Sequence, residues 1–160
     1  MAVLVVLSAC QGTVSDPPDD GVGTEVIRAG VDFGHVATRL WIDYPSRNDA
    51  ASQKRWFLSV DADTTAEFEV HVGTVLPRDD VYTVRRLQVA PDQDDVACRG
   101  FVDDAGFVDE DTVSLTVDTR CLSSPADGSL PGAVRMSALS SDIGGRINDG
   151  TDWTGVIPRS

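Results

Sequence analysis

A single lysine, Lys54, stands in this 160-residue sequence against twelve arginines, and four glutamates stand against twenty-two aspartates. Histidine occurs twice, as His35 and His71, and aromatic residues make up only 6% of the chain. These scarcities exclude a good deal. There is no His-Glu-x-x-His and no Cys-x-x-Cys, so the common zinc hydrolase and zinc-finger patterns are absent. There is no Gly-x-Ser-x-Gly elbow, and Gly144-Gly145 lacks the Lys-Ser/Thr that completes a phosphate loop. No residue set reads as a nucleophile with a base and an orienting group, so no catalytic residue is assigned and the chain is not read as an enzyme. No apolar run reaches the roughly 20 residues that a membrane-spanning helix needs.

Charge narrows the partners. The net charge is −13 and the pI about 4.3. Such a chain repels nucleic acid phosphates and anionic lipid headgroups, so nucleic acid is not an expected partner. The kind of acid matters too. Aspartate disfavours helix interiors and favours caps and turns. An Asp-rich, Glu-poor chain with many Val and Thr reads as strands joined by acidic turns.

The N-terminus carries an address-like motif. Val3 to Leu7 is apolar, and Leu7-Ser8-Ala9-Cys10 resembles a bacterial lipobox, in which a large apolar residue lies three before an acylated cysteine and small residues precede it. The motif implies lipidation of the Cys10 thiol and cleavage before it. No Lys or Arg precedes Cys10, so the basic start of a secretory signal is missing and the segment reads as truncated. The organisation expected is a lipoprotein signal remnant over 1–9, a Pro/Gly/Asp-rich flexible tether over 10–23, and one folded domain over 24–160. The competing reading is a short N-terminal strand with a buried free cysteine. With Cys10 lipidated, Cys98 and Cys121 remain as a disulfide pair suited to an oxidising compartment. Their bridge closes a loop of about 24 residues, worth roughly 3 kcal/mol in the chain-entropy model.

From Thr24 onward the dominant period is two. Ile27, Ala29, Val31 and Phe33 form one apolar face, and Val36, Thr38, Leu40, Ile42 and Tyr44 a second. Phe68, Val70 and Val72 alternate with Glu67, Glu69 and His71; Val113, Leu115 and Val117 alternate with Thr112, Ser114 and Thr116. Further strands are expected over 56–60, 81–89, 134–139 and, shorter, 99–102, with a turn or two of helix over 49–54. Trp153 and Ile157 are expected to pin the C-terminal stretch to the body. Pro, Asp, Ser and Gly clusters separate these runs. The pattern predicts an all-β antiparallel sandwich, Ig-like or jelly-roll-like, of about seven to nine strands.

Between Trp56 and Met136 the chain resembles a group of uncharacterised exported actinobacterial proteins. The residues that carry the likeness are Asp61-Ala62-Asp63, Glu67, Cys98, Val113 to Val117, Arg120-Cys121-Leu122 and Val134-Arg135. The resemblance implies a sandwich with a Cys98–Cys121 bridge and brings no activity. The acidic strand-and-turn pattern is also similar to DOMON-like carbohydrate-binding modules.

Two ligand-binding readings remain. Calcium needs several hard oxygens, and Asp61, Asp63 and Glu67 are the favoured cluster, although no EF-hand loop is present. Carbohydrate needs an exposed aromatic beside polar groups. Trp41 falls opposite Leu40 and Ile42, beside Arg39 and Asp43, which makes it the candidate platform. Together these features point to a lipid-anchored envelope protein with a non-enzymatic binding or structural module. The alternatives are a calcium- or carbohydrate-binding module and an accessory domain of an envelope enzyme. Its expected partners are the membrane, through the anchor, and a protein or glycan ligand. No cofactor beyond calcium is implied.

Overall fold

In a computed structural model the chain is described over residues 10–15, 26–43, 53–60, 66–73, 81–87, 96–101, 107–109, 112–141 and 147–160. It is an antiparallel sandwich of two sheets. The strands are β1 (Cys10–Ser15), β2 (Arg28–Phe33), β3 (Ala37–Asp43), β4 (Gln53–Val60), β5 (Phe68–Gly73), β6 (Val81–Arg86), β7 (Val96–Phe101), β8 (Phe107–Asp109), β9 (Thr112–Asp118), β10 (Ala133–Ser141), β11 (Ile147–Gly150) and β12 (Ile157–Pro158). Sheet A has the order β1-β2-β3-β9-β8. Sheet B has the order β11-β10-β4-β5-β6-β7, with β12 also pairing β10. The strands beyond the expected seven to nine are chiefly short edge pieces, too short to show a period in the sequence.

Period-two patterning places the core between the sheets. Ala29, Val31, Phe33, Leu40 and Ile42 from sheet A meet Trp56, Leu58, Val70, Val84, Val134 and Met136 from sheet B, all fully buried. Each large apolar side chain buried this way contributes about 1.5–3 kcal/mol. Trp56 also donates its indole N–H to the Trp41 carbonyl at 3.3 Å, a hydrogen bond between the sheets.

Two expected core positions are corrected. Val36 is 80% exposed and Ile27 44%. Val36 lies in the bend between β2 and β3, where alternation lapses. At the other end Val26 takes the buried place expected for Ile27, because its N–H is drawn inward to the Asp149 carboxylate at 2.6 Å. Helix is not found at the end of the 49–54 stretch, since Gln53 and Lys54 open β4; residues 49–52 lie outside the described residues. Ile157 is buried in the core and Trp153 half-buried, as expected of the pinned C-terminus.

The tether expected over 10–23 is corrected over its first six residues. Cys10–Ser15 is β1, in register with β2 from Cys10↔Phe33 to Ser15↔Arg28. Gly12 faces inward, and a Cβ there would lie 2.0 Å from Ile157 Cδ1, so any larger residue would have to displace the Ile157 side chain. An unpaired edge of β2 exposes backbone donors and acceptors, and this Ser/Thr/Gly-bearing segment satisfies them although its composition reads as linker. Residues 1–9 and 16–23 lie outside the described residues.

Between β9 and β10 a 3-10 turn, Thr119–Leu122, is capped by the Asp118 carboxylate, which accepts from the Arg120 N–H. Thr119 Oγ1 donates to the Gly34 carbonyl at 2.8 Å, so the Thr38 hydroxyl donates to Thr119 at 2.9 Å. This satisfies two buried hydroxyls between sheet A and the turn. The turn also holds Cys121, bonded to Cys98 on β7 with a Cα–Cα distance of 5.4 Å. The disulfide therefore joins the far edge strand of sheet B to the chain leaving sheet A.

Candidate functional site

Trp41 occupies the middle of the outer face of sheet A. Strand alternation sends Leu40 and Ile42 into the core and Trp41 outward, and the cross-strand row is Thr13, Gly30, Trp41, Ser114. The indole lies across Gly30: a Cβ on that glycine would sit 2.1 Å from Trp41 Cζ2. Glycine thus creates the recess in which the ring rests. Arg28 places its guanidinium 5.1 Å from the ring centroid. The same guanidinium makes two hydrogen bonds to Asp43 Oδ2, at 3.0 and 2.8 Å, while Asp43 Oδ1 accepts from the Thr112 hydroxyl at 2.8 Å. A half-buried indole is therefore rimmed by an oriented Arg–Asp–Thr chain. The next row along the face adds Gln11, Asp32, Arg39 and Thr116. Chemically this face offers an aromatic surface for C–H groups and fixed donors and acceptors for hydroxyls.

Asp61 and Asp63 lie outside the described residues, and Glu67 is half-buried at the entrance to β5. Among the described residues no group of three His, Cys, Asp or Glu side chains could hold a metal ion. His35 is exposed in the β2–β3 bend and His71 faces outward on β5, on different sheets. Cys98 and Cys121 are brought together. Cys10 is a free, half-buried cysteine packed against the core at the start of β1.

Two arrangements went unforeseen. On the inner side of sheet B, Lys54, Ser140 and Asp149 share a cross-strand row. Lys54 is 2% exposed and donates to Ser140 Oγ at 3.2 Å. Asp149 accepts from the N–H groups of Val26 and Gly150. The chain's one lysine side chain is thus held inside the fold. The other is on the outer side of sheet B, where Glu69, 7% exposed, lies between Arg55 at 3.4 Å and Arg85 at 3.7 Å. His71 sits beside them. Burial lowers its pKa from 6.5, the nearby Arg55 charge lowers it further, and Glu69 opposes both. The only sequence signal for this cluster is charged residues at alternate positions of separate strands, and their meeting depends on a register that the sequence does not display.

Comparison with known proteins finds no matching family model, no matching curated protein and no matching solved structure.

Proposed function

We propose that this protein is a non-enzymatic binding module of the bacterial cell envelope and that the outer face of sheet A around Trp41 takes a carbohydrate. The observation that supports this reading is the seat of Trp41: an indole laid over Gly30 on an otherwise polar sheet face, with Arg28, Asp43 and Thr112 oriented at its edge. A sugar ring presents C–H groups on its faces and hydroxyls around its rim, which is the complement of that arrangement. The Cys98–Cys121 bridge agrees with work outside the reducing cytosol. A glycan array followed by titration of the best neutral oligosaccharide tests the reading. Binding that Trp41→Ala abolishes supports it; absence of binding across neutral glycans at millimolar concentration removes it.

Anchoring through Cys10 is the second part of the proposal. With Cys10 acylated, β1 starts at the lipid and the sandwich lies against the membrane with no intervening tether. The thiol packs against the core, so acylation requires this first strand residue to turn outward. Mass spectrometry of the membrane fraction decides the point. A lipid-modified Cys10 supports the anchor, and an unmodified thiol on a full-length chain makes Cys10 a core cysteine instead.

A further inference from the structure

The outer face of sheet B concentrates positive charge on a protein whose net charge is −13. Four arginines project there: Arg55 from β4, Arg85 from β6, Arg99 from β7 and Arg135 from β10. The register fixes their layout. One row runs Leu139, Arg55, His71, Thr83, Arg99, and the next runs Ser137, Phe57, Glu69, Arg85. Arg135 stands opposite Ser59, one further row on. Three strand spacings separate Arg55 from Arg99, about 14 Å, and Arg135 extends the patch diagonally beyond that.

Glu69 engages Arg55 and Arg85, and Glu67, two residues before it, is the second carboxylate on this face among the described residues. Arg99 and Arg135 make no ion pair among the described residues, and Arg135 Nε and His71 Nε2 are buried without hydrogen-bond partners. We propose that this face binds an acidic polysaccharide, its carboxylate or sulfate groups taken by Arg99 and Arg135 and attracted by the field of Arg55 and Arg85.

The shape of the patch selects this ligand class. A single small anion meets one guanidinium at a time across such spacing, whereas a chain bearing repeated anions meets several. Guanidinium groups form two parallel hydrogen bonds to carboxylates and sulfates, a geometry that ammonium lacks. An extended anionic bilayer brings the acidic remainder of the protein close to its own charge. A narrow polymer confined to the patch keeps most of that surface beyond the screening length of about 8 Å at physiological salt. Phe57 and Leu139, half-buried between the arginines, offer apolar contact to sugar rings. The site lies on the opposite sheet from Trp41, so it stands or falls separately from neutral-glycan binding.

The test uses the full chain on immobilised heparin and on immobilised polygalacturonate at low salt, with the salt dependence of affinity measured. Retention on at least one polymer is expected, with affinity falling as salt rises. Arg99→Ser combined with Arg135→Ser weakens it about tenfold or more and flattens the salt slope. Arg39→Ser, on the outer face of sheet A, and Trp41→Ala leave it unchanged, and thermal melts show that the double variant keeps its fold. Failure of the wild-type chain to bind either polymer overturns the proposal. So does an equal loss in Arg39→Ser, or equally strong retention by phosphatidylglycerol vesicles or single-stranded DNA.

Discussion

The two outer sheet faces are built from the same alternation and end in opposite states. On sheet A the charges are matched: Arg28 is bonded to Asp43, and Asp32 stands directly opposite Arg39. An aromatic ring fills the centre, and what the face offers is surface and hydrogen bonds. On sheet B, among the described residues, four arginines outnumber Glu67 and Glu69, and what the face offers is charge. Net charge therefore describes neither face. An overall −13 argues against polyanion binding when spread evenly, yet strand register gathers a local excess of the opposite sign.

The disulfide is common to both faces, and breaking it gives the largest expected effect. Replacing Cys98 and Cys121 with serine removes the link from β7 to the chain leaving β9. The loss is about 3 kcal/mol, read as a lower urea midpoint, and both faces weaken together. If one face keeps its stability and ligand while the other melts, the sheets are less coupled than the shared core implies.

Gly30→Val separates the faces. Its added carbons collide with Trp41, costing about 1–3 kcal/mol and displacing the indole. Neutral-glycan binding falls while retention on acidic polymer stays. A variant that leaves Trp41 fluorescence and stability unaltered would mean the ring does not rest on Gly30.

A smaller effect belongs to sheet B alone. The His71 pKa is lowered from 6.5 by burial, with Arg55 adding to the shift. The unfolded chain thus binds its proton more readily than the folded one, so stability rises with pH through this window. Acidification from about pH 7.5 through 6.5 and below removes stability, and His71→Gln flattens that segment of the stability–pH curve. An unchanged slope in the variant assigns the effect to other groups.

The smallest effect is expected at Arg28. Its side chain is 55% exposed, so its pair with Asp43 is solvent-screened, and Arg28→Ala costs no more than about 1 kcal/mol. Its consequence is for binding: the rim of the Trp41 seat loses its fork, and neutral-glycan affinity drops without a comparable change in melting temperature.

Much of the fold was legible because burial leaves a period-two trace. Val113, Leu115 and Val117 face the core as their spacing implies, and so do Phe68 and Val70. Trp41 was legible as outward-facing for the same reason, and the Cys98–Cys121 pair followed from an odd cysteine count. What escaped were features that periodicity does not encode. β1 looked like linker because an edge strand gains its stability from backbone pairing with β2, which needs no apolar run. The burial of Lys54 left no trace in the sequence, because lysine is rarely buried and its partner Ser140 lies 86 positions away. The arginine face needed the register of β4, β6, β7 and β10 at once. The Gly30 recess required knowing which residue stands across from Trp41.

The central claim is that Trp41 is the seat of a carbohydrate. It is tested most directly by following the three tryptophan indole N–H resonances while a neutral oligosaccharide is added. The account predicts that the Trp41 signal moves saturably, that the signal of core-buried Trp56 barely responds, and that Trp41→Phe weakens binding where Arg99→Ser does not. No movement of the Trp41 signal across neutral oligosaccharides at millimolar concentration, or an equal response from Trp56, would contradict it.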